Sequence, residues 1–344
     1  MDFPNRSPVR ILVIRYRFIG DTVLAIPFLR NLRYAFPQAI IDILAEPVSG
    51  DTLAHCPYKN ELLFFAPRLK GSAKAASKHP TTLLGCARWL RLRRYDRVYI
   101  LRRSFSSAIL PLLAGIPHRV GFATEGRQWL LQRSAPYPDK HEVECFLDVL
   151  RADGIPIVDT FNENWSDPAI DQRIAPALAS AERRRVFICA KSVFPLKDWD
   201  VDRFARLIEW LISERHCEVH FCDSPGNADY YRAILGSLPQ PLIHACVDWS
   251  KDLSIRDVNS LLRRMDLAVG IDTGLLHIAA SFHVPVVALF GPLEPWRWHP
   301  WDTPHTIIRP SDVSGERPLL RVSVEEVQVA IDGHLSARQD RART

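Results

Sequence analysis

MDLAVGIDTGLLHIAASFHVPVVALFGPLEPWRWHPW, residues 265–301, is the stretch on which the reading of this chain turns. Leu267–Val269 has the unbroken apolar character of a buried strand, Gly270–Gly274 is turn-like, and Leu275–Phe282 has helical composition. Val286–Phe290 is a second apolar strand, which ends in a Gly-Pro loop. Asp272-Thr273-Gly274 therefore lies where a strand hands over to a helix. Free backbone N–H groups and the positive end of the helix dipole meet at such a point and suit a phosphate. His277 falls on the first helical turn, in reach to add a donor or a positive charge. The competing assignment is a plain helix cap, a role that Asp and Thr fill well. The pattern alone leaves both open.

The same alternation runs through the chain. Apolar strands at Ile11–Ile14, Ile40–Leu44, Glu61–Phe65, Arg97–Leu101 and Val120–Phe122 are separated by helical segments at Asp21–Phe36, Ser49–Ala54, Thr81–Arg94 and Phe105–Ala114, and His141–Asp153 follows. Between Gly154 and Ala175 the rhythm is lost among prolines, acids and amides. It restarts with strand Val186–Cys189, helix Val201–Arg215, strand Val219–Phe221, helix Asp229–Leu235, strand Leu242–His244 and helix Ile255–Met265. A final strand near Thr306–Ile308 and helix Val322–His334 close the series. Alternating strands and helices imply parallel strands with crossover helices. The expected class is therefore α/β: two Rossmann-like domains facing each other across a cleft, spanning 1–160 and 176–344 with a linker at 161–175. The last helix is in a position to pack back on the N-terminal domain.

A length of 344 residues supports two domains, and a hydrophobic fraction of 47% with 24% charged residues is ordinary for a globular protein. No run approaches the roughly 18–20 apolar residues that span a bilayer. The N-terminus has too short an apolar run for a secretory signal, so a cytoplasmic chain is expected. The seven cysteines contain no C-x-x-C pair, and Cys189, Cys217 and Cys222 read as reduced core thiols. The net charge of +5 is unevenly spread: Arg68–Lys78 holds four cations and no acid, and Arg88–Arg97 holds five arginines against one aspartate. Such a surface suits an anionic partner, although each cation singly is most simply a solvated side chain.

Two further segments carry chemistry. IRYRFIGD, residues 14–21, takes a strand into a loop that ends at Gly20-Asp21. Ligands of open α/β sheets gather at the carboxyl ends of strands, so Asp21 is either a helix cap or a general base aimed at an acceptor hydroxyl. The absence of G-x-G-x-x-G argues against a dinucleotide cofactor here. CAKSVFPLKDW, residues 189–199, leaves a strand and carries Ser192, a donor for a phosphate oxygen, and Lys197, a cation for a diphosphate leaving group. Trp199 reads as core packing, and Lys197 could equally be a solvent-facing loop lysine.

In this order and spacing the chain resembles glycosyltransferase family 9, the heptosyltransferases of lipopolysaccharide core assembly, over nearly its whole length. The resemblance rests on R-x-x-x-x-G-D (Arg15, Gly20, Asp21), P-x-K-x-W (Pro195, Lys197, Trp199), D-[ST]-G-L-x-H (Asp272, Thr273, Gly274, Leu275, His277) and Pro285–Pro292. SFSSAILPLLAGIPHRVGF, residues 104–122, is most like the second heptosyltransferase of that family. The resemblance implies a GT-B fold and inverting transfer of a heptose from an ADP-sugar, ADP-heptose, to a lipopolysaccharide core acceptor. The acceptor would be held by the N-terminal domain and the donor by the C-terminal one. It implies Asp21 as base and Ser192, Lys197, Asp229, Asp272, Thr273, Gly274 and His277 as donor contacts. Arg15, Arg102, Arg103, Lys70, Lys74 and Lys78 are candidates for a phosphorylated, lipid-linked acceptor, met by an enzyme peripheral to the cytoplasmic face of the inner membrane. No D-x-D pair stands in a loop suited to a metal, so no metal and no cofactor are expected. Some features depart from the family pattern. Lys191 follows Ala190 where many members have a glycine and a small residue, and Leu293 follows Gly291-Pro292, ahead of an aromatic run at Trp296–Trp298. The alternative readings are a nucleotide-sugar epimerase or hydrolase on the same fold and a non-catalytic binder of anionic ligands. Sugar transfer as against epimer formation separates the first, and the absence of a nucleic-acid motif weighs against nucleic acid for the second.

Overall fold

The computed structural model describes residues 8–15, 17–67, 77–178, 183–192 and 194–341. The chain divides into two compact units, Met1–Phe161 and Asn162–Thr344. Each is a doubly wound parallel sheet with its helices, as the alternation predicts.

In the first unit, strands β1 (Arg10–Ile14), β2 (Ile40–Ala45), β3 (Glu61–Phe64), β4 (Arg97–Ile100), β5 (His118–Phe122) and β6 (Arg133–Ala135) are ordered β3-β2-β1-β4-β5-β6. In the second, β7 (Arg185–Cys189), β8 (Glu218–Phe221), β9 (Cys246–Asp248), β10 (Leu267–Ile271), β11 (Val286–Leu289) and β12 (His305–Ile308) are ordered β12-β11-β10-β7-β8-β9. Each described pairing is parallel. The central strands are apolar at nearly every position because helices cover both faces of the sheet. Every residue of β10 is buried.

Chain order reverses once in each sheet, between β1 and β4 in the first and between β7 and β10 in the second. At such a switch point the connections leave in opposite directions and open a crevice at the carboxyl ends of the strands. The loops after β1 and β4, and those after β7 and β10, carry most of the residues that the motifs single out.

Helix Val201–Ser213 shows how pattern becomes packing: Phe204, Ala205, Leu207, Ile208, Leu211 and Ile212 recur at helical spacing and are buried. Trp199, just before it, is fully buried, lies 4.9 Å from the Phe204 ring centroid and donates its indole N–H to the Val322 carbonyl at 3.1 Å. It is the core residue expected. All seven cysteines are free thiols.

Several boundaries differ from the sequence reading. Asp21–Phe36 is two helices, Ile19–Val23 and Ile26–Ala35, the second with a proline in its first turn. Proline lacks the N–H that would have continued the first helix. Leu242–His244 lies in a 3-10 turn, Gln240–Ala245, and the strand is displaced to Cys246–Asp248. The segment 161–175 is no free linker: it contains helix Pro168–Ile174, capped by the Asp167 side chain, and from Asn162 onward it belongs to the second unit. There the Asn259 amide donates to the Trp165 carbonyl at 2.9 Å, and Arg263 pairs with Asp171 at 2.7 Å. Its amides serve tertiary hydrogen bonding, which a loss of periodicity cannot reveal. The last helix, Val324–Arg341, packs within the second unit on helix Val201–Ser213 and on β11 and β12.

Candidate active site

At the first switch point, β1 runs into a turn in which Arg17 and Phe18 both adopt positive φ, 75° and 51°. Left-handed backbone at two successive non-glycine residues is costly and persists only where the surroundings enforce it. The turn opens helix Ile19–Val23 at Phe18, and no side chain caps that helix. Asp21 is thus inside the first turn and is not the cap. Its carboxylate pairs with the Arg15 guanidinium, and Arg15 Nε also donates to the Asp21 carbonyl at 3.2 Å. Arg15, expected among the acceptor contacts, is only 5% exposed. Burial pulls its pKa down to about 10, with Glu142 opposing that shift and Arg102 and Arg103 adding to it. Arg15 therefore orients Asp21 instead of being presented to solvent.

The loop after β4 brings up Arg102 and Arg103. Arg102 Nε donates to Ser104 Oγ at 2.9 Å, and the Arg103 guanidinium lies 4.3 Å from the centroid of the Tyr137 ring. Arg127, fully buried, donates to the Arg102 carbonyl at 2.5 Å, the Ser104 carbonyl at 3.0 Å and Ser107 Oγ at 2.9 Å. It holds the loop in shape. Nothing local in the sequence marks Arg127 for this role, because its partners lie some twenty residues away. Lys78 is exposed, while Lys70 and Lys74 lie outside the described residues.

At the second switch point, β7 and β10 pair with Cys189 opposite Gly270. Gly270 has a φ of +152°, and a Cβ there would lie 2.0 Å from the Cys189 carbonyl oxygen. Only glycine lets the two strands end this close together. Beyond it, Thr273 is the N-cap position of helix Gly274–Ser281, yet no side chain caps that helix. The cap assignment for Asp272 and Thr273 therefore fails. Asp272 instead accepts from Lys197, whose ammonium lies 2.6 Å from its carboxylate and 3.1 Å from its carbonyl oxygen. Lys197 is not the solvent-facing lysine that the loop composition allowed.

His277 is buried, with Nε2 3.8 Å from Asp272 Oδ1 and Nδ1 without a hydrogen-bond partner among the described residues. Burial drives its pKa down to about 4; Asp272 opposes the shift, while Lys197 and His299 reinforce it. At neutral pH it is a neutral imidazole, so it can contribute a hydrogen-bond donor but not the positive charge that the sequence left open. Ser192, in the loop after β7, accepts from the Phe194 N–H at 3.2 Å.

Asp229 stands apart from this group. It is exposed on the first turn of helix Ala228–Gly236 and pairs with Arg232 on the same helix. The carboxylate tucked in at the end of β8 is Asp223, which accepts from the Ser224 N–H at 2.6 Å and the Asn227 amide at 2.9 Å. Burial raises its pKa. Asp223 follows β8 closely, at the carboxyl end of the sheet where ligands of open α/β folds gather.

A cation on a carboxylate, an uncapped helix N-terminus and a buried imidazole nitrogen that lacks a partner together suit an oxygen-rich dianion. Comparison with known proteins identifies a sugar transferase. Residues 84–318 match the model of glycosyltransferase family 9 (heptosyltransferase). The chain is 30% identical over 309 residues to lipopolysaccharide heptosyltransferase 2 of Escherichia coli, covering 83% of this chain and 84% of that protein. It is 27% identical over 314 residues to lipooligosaccharide heptosyltransferase 2 of Haemophilus influenzae, covering 88% of each. Among solved structures it is similar to the E. coli ADP-heptose lipopolysaccharide heptosyltransferase II, with a TM-score of 0.80 and 26% identity over 96% of this chain and all of that one. The chain belongs to glycosyltransferase family 9. It is a glycosyltransferase with the GT-B fold of two Rossmann-like domains.

Proposed function

We propose that this enzyme transfers a heptose from ADP-heptose to a lipopolysaccharide core acceptor, with inversion at the anomeric carbon. The names of its relatives support this donor and acceptor class, and the observation that carries the reading is the Lys197–Asp272–His277 group at the β7/β10 switch point. In this reading the second unit holds the nucleotide sugar and the first holds the acceptor. Asp21, oriented by Arg15, takes the proton of the acceptor hydroxyl as its oxygen attacks the anomeric carbon opposite the leaving group. Lys197, the His277 imidazole and the N–H groups at Thr273-Gly274 stabilise the charge gathering on the departing ADP. Ser192 donates to a phosphate oxygen, and Asp229 or Asp223 engages the ribose. Arg102, Arg103 and the segment with Lys70, Lys74 and Lys78 meet the acid groups of the acceptor. No metal or cofactor takes part. Among the described residues no helix is long and apolar enough to cross a membrane, and the enzyme meets its lipid-linked acceptor peripherally, at the cytoplasmic face of the inner membrane.

Incubation with ADP-heptose and truncated heptose-bearing lipid A acceptors, read by mass spectrometry, tests this. An acceptor product heavier by one heptose is expected. Release of ADP without such a product would point to a hydrolase, and an epimerised donor to an epimerase.

A further inference from the structure

Lys191 lies two residues past the end of β7 and directly before Ser192. The last paired residues of β7 and β10 are Cys189 and Gly270, so the loops that carry Lys191 and Asp272 leave the same end of the sheet, and Lys197 on the Lys191 loop reaches Asp272 at 2.6 Å. The Lys191 ammonium pairs with Asp198 and lies 5.1 Å from the Tyr230 ring centroid. Tyr230 is fixed, donating its hydroxyl to the Trp199 carbonyl at 2.7 Å.

The pair is not a completed structural bridge. Asp198 Oδ1 is buried without a hydrogen-bond partner among the described residues, whereas a structural ion pair in such a place is stabilising only if its remaining lone pairs are satisfied. Asp198 also borders a cavity of about 430 Å³ shared with Pro195, Leu196, Tyr230, Glu316 and Arg317. Water there can take over the carboxylate when the lysine leaves. A diphosphate offers the same ammonium more charge and more acceptor oxygens than this single carboxylate does.

Resting on the donor site proposed above, we infer that Lys191 is a second diphosphate-binding cation, parked on Asp198 and Tyr230 and transferred by side-chain rotation to the phosphates of the donor. Asp198 then sets the cost of that transfer, and Lys191 makes the site of this chain more cationic than one with a small residue in its place.

Calorimetric titration of the full-length protein with ADP and with AMP at low ionic strength tests this. Lys191→Met weakens ADP binding about tenfold and AMP binding less, as expected for the loss of one charge-assisted contact. Lys191→Arg keeps the charge and stays near wild type. Asp198→Asn, which releases the lysine, binds ADP at least as tightly as wild type. Unchanged ADP affinity in Lys191→Met would overturn the inference. So would Asp198→Asn weakening ADP as Lys191→Met does, since the pair would then be a brace of the loop. Should Lys191→Met fail to fold, the Asp198→Asn arm decides alone. Lys197→Ala, measured alongside, separates the two levels: if it binds ADP normally the donor site itself is misplaced, and if it alone loses ADP only the role of Lys191 falls.

Discussion

Asp21 and His277 owe their chemistry to what surrounds them. Asp21 makes no cap, and its carboxylate is held by a buried arginine whose own charge costs desolvation. Asp21→Ala should lower kcat by about 10²–10⁴-fold, the usual loss on removing a general base, and leave ADP affinity close to wild type. Steady-state rates beside calorimetry decide it, and a near-normal rate would reduce Asp21 to a partner of Arg15. Lys197→Ala and His277→Ala should each weaken ADP binding about tenfold and slow transfer, since both meet the charge of the leaving group. Unchanged affinity in both would remove the donor site. His277 also has a signature in stability. Its ordinary pKa of 6.5 falls to about 4 in the fold. Between these values the unfolded chain binds a proton that the folded one does not. The contribution is therefore whole above pH 6.5 and is lost as the pH falls toward 4. In His277→Gln, denaturant midpoints followed across that window should fall less steeply with acid than in wild type.

At the scale of the element, the two functional turns use opposite devices. After β1 the chain accepts left-handed backbone at Arg17 and Phe18, residues poorly suited to it, and the cost is carried by the packed strand and helix on either side. Near the end of β10 the chain uses glycine. Gly270→Ala would drive a methyl group into the Cys189 carbonyl, which is backbone and cannot rotate away. The strands would have to part. A loss of about 3 kcal/mol or more is expected from urea unfolding, with weaker ADP binding because Lys197 and Asp272 lie on the two loops so separated. Wild-type stability in this variant would show that the strand ends have slack. Arg127 acts on the loop after β4 as a scaffold of hydrogen bonds, through the Arg102 and Ser104 carbonyls.

Across the molecule, polar groups are sorted between the two ends of the sheets. At the amino ends of β4 and β5, Asp153 collects Arg97 at 3.0 Å, Tyr99 at 2.7 Å and His118 at 2.7 Å, a satisfied network suited to holding strands together. The carboxyl ends carry the strained turn, the uncapped helix and the imidazole nitrogen that has no partner among the described residues. In the proposed function the basic segment that includes Lys78 attracts the acceptor at long range. Neutralising Lys70, Lys74 and Lys78 together should raise the acceptor KM and flatten its salt dependence while the donor KM barely moves. Exposed charges act over about 8–10 Å at ordinary ionic strength. An unchanged acceptor KM at low salt would make the segment plain surface.

Period and punctuation in the sequence determined the class of this protein. Apolar runs of strand length alternating with amphipathic helices can bury their faces in few ways, so the two parallel sheets and the loops at their carboxyl ends were legible from residue order. The motifs placed Asp21, Lys197 and Asp272 on those loops for the same reason. What each side chain meets there was decided by tertiary structure. Asp21 lies inside its helix and Asp272 one residue before the Thr273 cap position, and their carboxylates meet Arg15 and Lys197 instead. The neutral state of His277 follows from burial, which no local pattern encodes. The hold of Arg127 on a distant loop likewise comes from contacts between segments far apart in sequence. Local sequence fixes where a residue stands on its element, and only packing between elements fixes what it meets.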